Sequence, residues 1–226
     1  MRWPWRSAMR RIRLRVYGCK VSGMKWCLTL LWCACLCAAD GPRLYFSKSF
    51  PGSVPPYVAI AVDKSGAGSY KEAENDDNPI RFHLTEPEVA EMFGLAEKLG
   101  HFDHPLESQL KVAFMGAKTF RFEDGDRRGE VKFNFSEDPS AQALADWFER
   151  IAESEQLLTN LEVSAKYDRL GVDKALLLLE SAWDRKRLVD TAQYLPLLDR
   201  IAKNESYIHQ ARLRAAALAD AFRAPK

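Results

Sequence analysis

The sequence predicts an α+β fold: an antiparallel sheet of about five strands covered by one helix, followed by a C-terminal antiparallel helical bundle. Three observations carry that expectation. Between residues 57 and 136, apolar residues alternate with a period of two in short runs separated by Gly, Asp, Asn and Pro. From residue 139 onward they recur every three or four residues in a background of Ala, Leu, Glu and Arg. One helical pattern, over residues 85–99, interrupts the strands and has a single apolar stripe, as a helix laid on one sheet face requires.

The first strand is "YVAIAVD", which places Val58, Ile60 and Val62 on one face and Tyr57, Ala59 and Ala61 on the other. "KSGAG" (Lys64–Gly68) turns the chain back into "SYKEAE", polar enough to be an edge strand. "NDDNP" then supplies turn residues before "IRFHL", where Ile80, Phe82 and Leu84 point inward. Helix entry is marked by Thr85 and Glu88, spaced as a capping box, with Leu84 and Val89 placed as a hydrophobic staple. Val89, Met92, Phe93, Ala96 and Leu99 form its stripe, and Gly100 is the expected left-handed terminator. After the loop "HFDHPLES", two further strands, read in "LKVAFMGAKTFRFED" and "EVKFNF", pair through a turn signalled by Asp124-Gly125.

Asp138-Pro139 supplies an N-cap and a first-turn proline for a long helix expected to run to Leu170 and stop at Gly171. A second helix is expected to be capped by Asp173 and to carry Leu176, Leu177, Leu179 and Trp183. A third carries Leu197, Leu198 and Ile201, with Pro196 in its first turn or kinking it. The last, from Glu205 to Arg223, aligns Ile208, Ala211, Ala215, Leu218 and Phe222. The domain boundaries that follow are 48–136 for the α+β part and 137–226 for the helical part, joined rigidly.

Residues 1–39 read as a signal peptide. The apolar run Trp26–Cys37 is too short to cross a bilayer, which takes about 20 residues, but suits a secretory core, and Cys37-Ala38-Ala39 offers small residues for cleavage before Asp40. Residues 1–23 read as sequence ahead of a start at Met24, in preference to a long basic leader. All five cysteines lie before residue 40, so the remaining chain has none. Residues 1–39 also hold eight of the 33 Lys and Arg and none of the 31 Asp and Glu, which leaves 25 basic against 31 acidic residues, net −6. That balance removes the electrostatic case for a nucleic-acid partner, and no stable membrane span is expected once the leader is gone.

The sequence has no G-x-S-x-G, P-loop or G-x-G-x-x-G, and no cysteine nucleophile after residue 39. "GHFDHPLE" gathers His101, Asp103, His104 and Glu107, residue types that bind metal, although their place after a helix-ending glycine favours a turn. "ENDDN" and "EDGDRRGE" are oxygen-rich, but both fall at expected hairpin turns. Glu149, Glu153 and Glu155 beside Arg150 read as the wet face of the long helix, His83 as solvent-facing, and His209 as an interhelical hydrogen-bonding group. No catalytic, cofactor-binding or metal-binding residue is assigned, and no cofactor is expected.

"PPYVAIAVDKSGAGSY" and "FHLTEPEVAEMFGLAEKLGHFD", followed by a strand pair, resemble uncharacterised bacterial exported domains over residues 55–136. In these, a P-x-Y strand, a Gly turn, an aromatic-ended second strand and a "leucine-threonine-x-x-glutamate" helix recur. The resemblance implies an envelope location and no assigned reaction. The chain is therefore expected to be periplasmic or secreted: a binding or scaffolding protein of the cell envelope without an identifiable catalytic site. Its helical half is expected to present a surface to another envelope protein. The alternative is a metal-dependent hydrolase using His101, Asp103 and His104, with Glu107 as base.

Overall fold

The computed structural model describes residues 41–224. The expected leader, its cysteines and the start at Met24 lie outside the described residues. The element order is β1 (Arg43–Ser49), β2 (Tyr57–Asp63), β3 (Ala67–Lys71), β4 (Ile80–His83), α1 (Glu86–Lys98), β5 (Ala117–Asp124), β6 (Arg127–Phe133), α2 (Pro139–Tyr167), α3 (Val172–Asp184), α4 (Leu195–Lys203) and α5 (His209–Arg223), with a 3-10 turn over Thr191–Tyr194 before α4.

The α+β class holds, and the described sheet has six strands, all antiparallel, in the order β4-β3-β2-β1-β5-β6. The additional strand is β1, which joins the meander to the hairpin by pairing with both β2 and β5. Its pattern was hard to read because the inward series Leu44, Phe46, Lys48 ends in a charge. The Lys48 ammonium leaves the sheet to meet the Glu149 carboxylate of α2 at 3.1 Å. Directly opposite, Lys118 is only 7% exposed and donates to the Asn134 carbonyl at 2.9 Å; burial first, and then the neighbouring Lys48 charge, lowers its pKa. β3 is interior, contrary to the edge position expected from its polarity, because Tyr70 turns inward and is fully buried while β4 takes the edge.

The inner sheet face buries Leu44, Phe46, Ile60, Val62, Phe82, Phe120, Phe122 and Phe133. Phe120 sits at the centre, within ring contact of Phe46, Phe102, Phe133 and Phe148. Two helices cover this face rather than one. α1 contributes Val89, Met92, Leu95 and Ala96, and the first half of α2 contributes Leu144, Trp147, Phe148 and Ile151. Phe148 lies flat on Phe46 with centroids 4.8 Å apart.

The entry of α1 is as the spacing predicts: the Glu88 carboxylate accepts from both the Thr85 N–H and the Thr85 hydroxyl, each at 2.8 Å. Leu84 and Val89 are both buried beside it. At the other end Gly100 takes φ +60°, its N–H donating to the Glu97 carbonyl and that of His101 to the Ala96 carbonyl, a Schellman closure.

α2 opens on Asp138, whose Oδ1 accepts from the N–H groups of Ser140 and Ala141 at 2.7 and 3.2 Å, with Pro139 first in the helix. It ends at Tyr167, three residues short of the expected Leu170. Gly171 does not stop it but precedes α3 in helical conformation, and Asp173, expected as the cap, lies in the first turn of α3 paired with Arg214 of α5. Pro196 occupies the first turn of α4, and α5 starts at His209 rather than Glu205.

The second half of α2 belongs to a different core. Leu158 and Leu161 pack with Leu176, Leu179, Leu198, Ile201, Leu218 and Phe222, while Ala211, Ala215 and Ala219 on α5 allow the helices to approach closely. All described residues fall in one compact unit, so the helical and sheet parts share α2 as a common member.

Candidate functional site

The four residues of "GHFDHPLE" with metal-ligand chemistry do not converge on one point. Gly100, His101 and Phe102 all have positive φ, at +60°, +56° and +69°, a left-handed run that swings the chain off the end of α1. The His101 ring lands 4.3 Å from that of Phe122, and burial, then the Arg127 charge, lowers its pKa. Phe102 is buried against Phe120. Space for this backbone is made by Gly129 of β6, where a Cβ would come within 1.9 Å of the His101 carbonyl oxygen. Asp103 and His104 pair with each other at 2.9 Å, which holds the Asp103 carboxyl below its ordinary range. Glu107 points elsewhere and accepts the Asn134 N–H. Among the described residues, no group of three or more His, Cys, Asp or Glu is placed to share one ion.

His83 is exposed, as expected. His209 is also exposed, and its ring faces Arg212 one turn on at 3.4 Å, rather than another helix.

A trough of about 640 Å³ lies on the sheet's outer face. Strand register fixes what lines it. One row runs Lys71, Ala59, Ser47, Thr119, Lys132 across β3, β2, β1, β5 and β6, and the next runs Ser69, Ala61, Tyr45, Arg121, Glu130. Small side chains in the middle make the floor. A lysine stands at each end of the first row, roughly 19 Å apart at four interstrand spacings. The Arg121 guanidinium lies 4.2 Å above the Tyr45 ring, its cross-strand neighbour, a cation–π contact that fixes one wall. Tyr57 closes the end of the trough, and burial, then the Glu74 charge, raises its pKa. On β2 the sequence carried a readable sign of this floor, in Ala59 and Ala61, and strand order extends it. Solvated strand faces usually carry long polar side chains, yet the outward positions 47, 59, 61, 69, 117 and 119 are all Ser, Ala or Thr.

A second polar arrangement lies where the two cores meet. Glu155, read from the sequence as solvent-facing, is fully buried. Its Oε1 accepts from Gln193 at 2.8 Å, and its Oε2 has no hydrogen-bond partner among the described residues. Burial first, then the charges of Asp190 and Glu162, pushes its pKa up to about 7, against the lowering effect of the Gln193 bond. Ser154, also fully buried, accepts the Val189 N–H and donates to the Arg150 carbonyl, both at 3.0 Å. The Tyr194 hydroxyl donates to the Ser154 carbonyl at 2.5 Å. Asp190, with φ +42°, accepts the His83 N–H of β4 at 2.7 Å, and Gln156 donates to the Tyr70 hydroxyl at 3.0 Å. These bonds tie α2, the sheet and the segment before α4 into one polar seam. Hydrophobic periodicity misses it because Ser154 and Glu155 lie on the helix face that passes from one core to the other.

No family model and no curated protein matches the chain.

Proposed function

We propose that the chain is a binding or scaffolding protein of the cell envelope, and that the outer face of its sheet is where it holds a polypeptide partner. The observation that carries this reading is the row Lys71, Ala59, Ser47, Thr119, Lys132. A floor of Ala, Ser and Thr lets a partner backbone come close, and hydroxyls interspersed with methyl groups suit a chain of mixed character better than a lipid or a sugar. The rim carries both signs, with Lys71, Arg121 and Lys132 against Glu74 and Glu130, which fits a polypeptide and disfavours a uniform polyanion.

The reading is tested by affinity capture from envelope extract with three forms of the protein. The unmodified chain should retain a protein above background. Ala59→Arg, which fills the floor, should lose it. Leu178→Glu, on the exposed side of α3, should keep it. Failure of the unmodified chain to retain anything, or equal retention by Ala59→Arg, counts against the proposal. Loss by Leu178→Glu alone moves the partner to the helical half.

A further inference from the structure

Twelve large apolar side chains are conspicuously exposed among the described residues, and five of them, Val54, Leu110, Val112, Phe114 and Met115, sit on two loops at one end of the sheet. These loops, residues 50–56 and 108–116, join at the Phe50 and Phe114 rings, whose centroids are 5.9 Å apart. Val54 is 97% exposed at the tip of one, and Phe114 is 58% exposed on the other. The remaining exposed apolar residues are spread over α2, the turn that follows it (Leu170), α3 and the start and first turns of α5.

Loops that expose apolar side chains normally expose their backbones to water as well, but several backbone groups of these loops are hydrogen-bonded within the protein. In the first, the Phe50 N–H donates to the Pro56 carbonyl at 2.9 Å, the Ser53 N–H to the Phe50 carbonyl at 3.1 Å, and the Ser53 hydroxyl also reaches the Phe50 carbonyl, at 2.7 Å. In the second, Asn134 clamps the loop with both ends of its amide: Oδ1 accepts the Met115 N–H at 2.6 Å and Nδ2 donates to the Ala113 carbonyl at 3.1 Å. The Leu110 N–H is taken by the Ser108 hydroxyl at 3.0 Å. Residues 50–56 contain no charge, and residues 108–116 contain Lys111 and no acid. Of the nearby carboxylates, Glu149 is paired with Lys48, while Glu107 and Glu137 accept from the Asn134 N–H and the Ser108 hydroxyl at the base of the loop and keep their charge, so Lys111 is the cation that the loop itself presents.

From these features we infer that this end of the molecule docks on an anionic lipid surface. Apolar side chains projecting from loop tips enter the acyl boundary, whereas a protein partner is more often met by a groove or a flat face. Bonded backbone groups lower the cost of entering a medium with little water. Lys111 stands between Leu110 and Val112, where its stem can lie along the apolar region while its ammonium returns to the headgroups. The inference is independent of the sheet-face reading, since the trough and the loops share no side chain that either uses.

The test is co-sedimentation of the chain, as isolated from cells, with vesicles of phosphatidylglycerol and phosphatidylcholine. Leu110→Ser combined with Phe114→Ser should cut partitioning by roughly tenfold or more. Lys111→Glu should weaken binding to these vesicles while leaving weak binding to pure phosphatidylcholine unchanged. A benzophenone amino acid at position 114 should crosslink to phospholipid, and the same group at position 119 in the sheet trough should not. An unchanged circular dichroism spectrum shows that the variants are folded, and the single-site crosslinker reads the contact without altering the patch. Equal sedimentation of the serine variant and unmodified chain overturns the inference, as does absence of crosslinking at position 114. A concentration-dependent dimer abolished by the same serine substitutions assigns the patch to a second copy and also overturns it.

Discussion

Glu155 is a carboxylic acid held where its charged form is penalised, and the consequence for stability has a definite sign. Its ordinary pKa of 4.5 rises to about 7 in the folded chain. Between those values the folded state keeps a proton that the unfolded state has released, so stability falls as pH rises through this window and stays reduced above it. Glu155→Gln keeps an acceptor for Gln193 and removes the penalty. It should leave stability nearly unchanged at pH 4 and raise it at pH 8 by an amount on the order of 3 kcal/mol, measured by urea unfolding across the range. A gain that does not grow with pH would show that Glu155 is already ionised when folded. Nothing local in "ERIAESEQLL" signals this burial, because a Glu among Glu, Arg and Gln reads as a wet face until Val189, Asp190 and Tyr194 arrive from far along the chain.

At the scale of elements, the close approach of β6 to the turn after α1 offers a sharp test. Gly129→Ala puts a methyl group into the His101 carbonyl, a backbone atom that cannot rotate away. The substitution should destabilise the protein by about 1–3 kcal/mol, read from the thermal midpoint, with the hairpin turn at Gly125 unaffected. The same change at Gly94, where a Cβ meets nothing, is the matched control and should be neutral or stabilising. An equal response at both sites would mean that the contact with the His101 carbonyl does not set the outcome. Elements with local signals were legible: the Thr85–Glu88 entry, the Gly100 exit, the Asp138-Pro139 start and the Asp124-Gly125 turn all stand where their spacing puts them. β1 was not. Its inward residues include a lysine whose partner, Glu149, is 101 positions away, and its central place depends on β5, which comes after α1. The candidate trough was half legible: Ala59 and Ala61 mark a small-residue face on β2, but only strand order shows that Ser47 and Thr119 continue it.

For the molecule as a whole, a helix shared by two cores predicts a single unfolding event. Trp147 reports on the core beneath the sheet, and Trp183, which rests on Phe222, reports on the helical one. Fluorotryptophan labelling with fluorine NMR, assigned by Trp147→Phe and Trp183→Phe, picks out these two signals among the chain's six tryptophans, and both should be lost at the same urea concentration. A clear gap between their midpoints would mean that the polar seam around Ser154 and Glu155 fails to couple the halves.

The continuity of α2 also constrains which changes in length the fold can absorb. Ile151 faces one core and Leu158 the other, with no break between them. One residue inserted between them turns everything downstream by about 100° and carries it 1.5 Å along the axis. Leu158 and Leu161 then face away from α3, and Ser154 or Tyr194 loses its counterpart. The loops of this protein can grow or shrink by single residues, but α2 behaves like a keyed shaft: it admits added length only in near-whole turns, and the two turns of a seven-residue insertion already displace the helical half by about 10 Å.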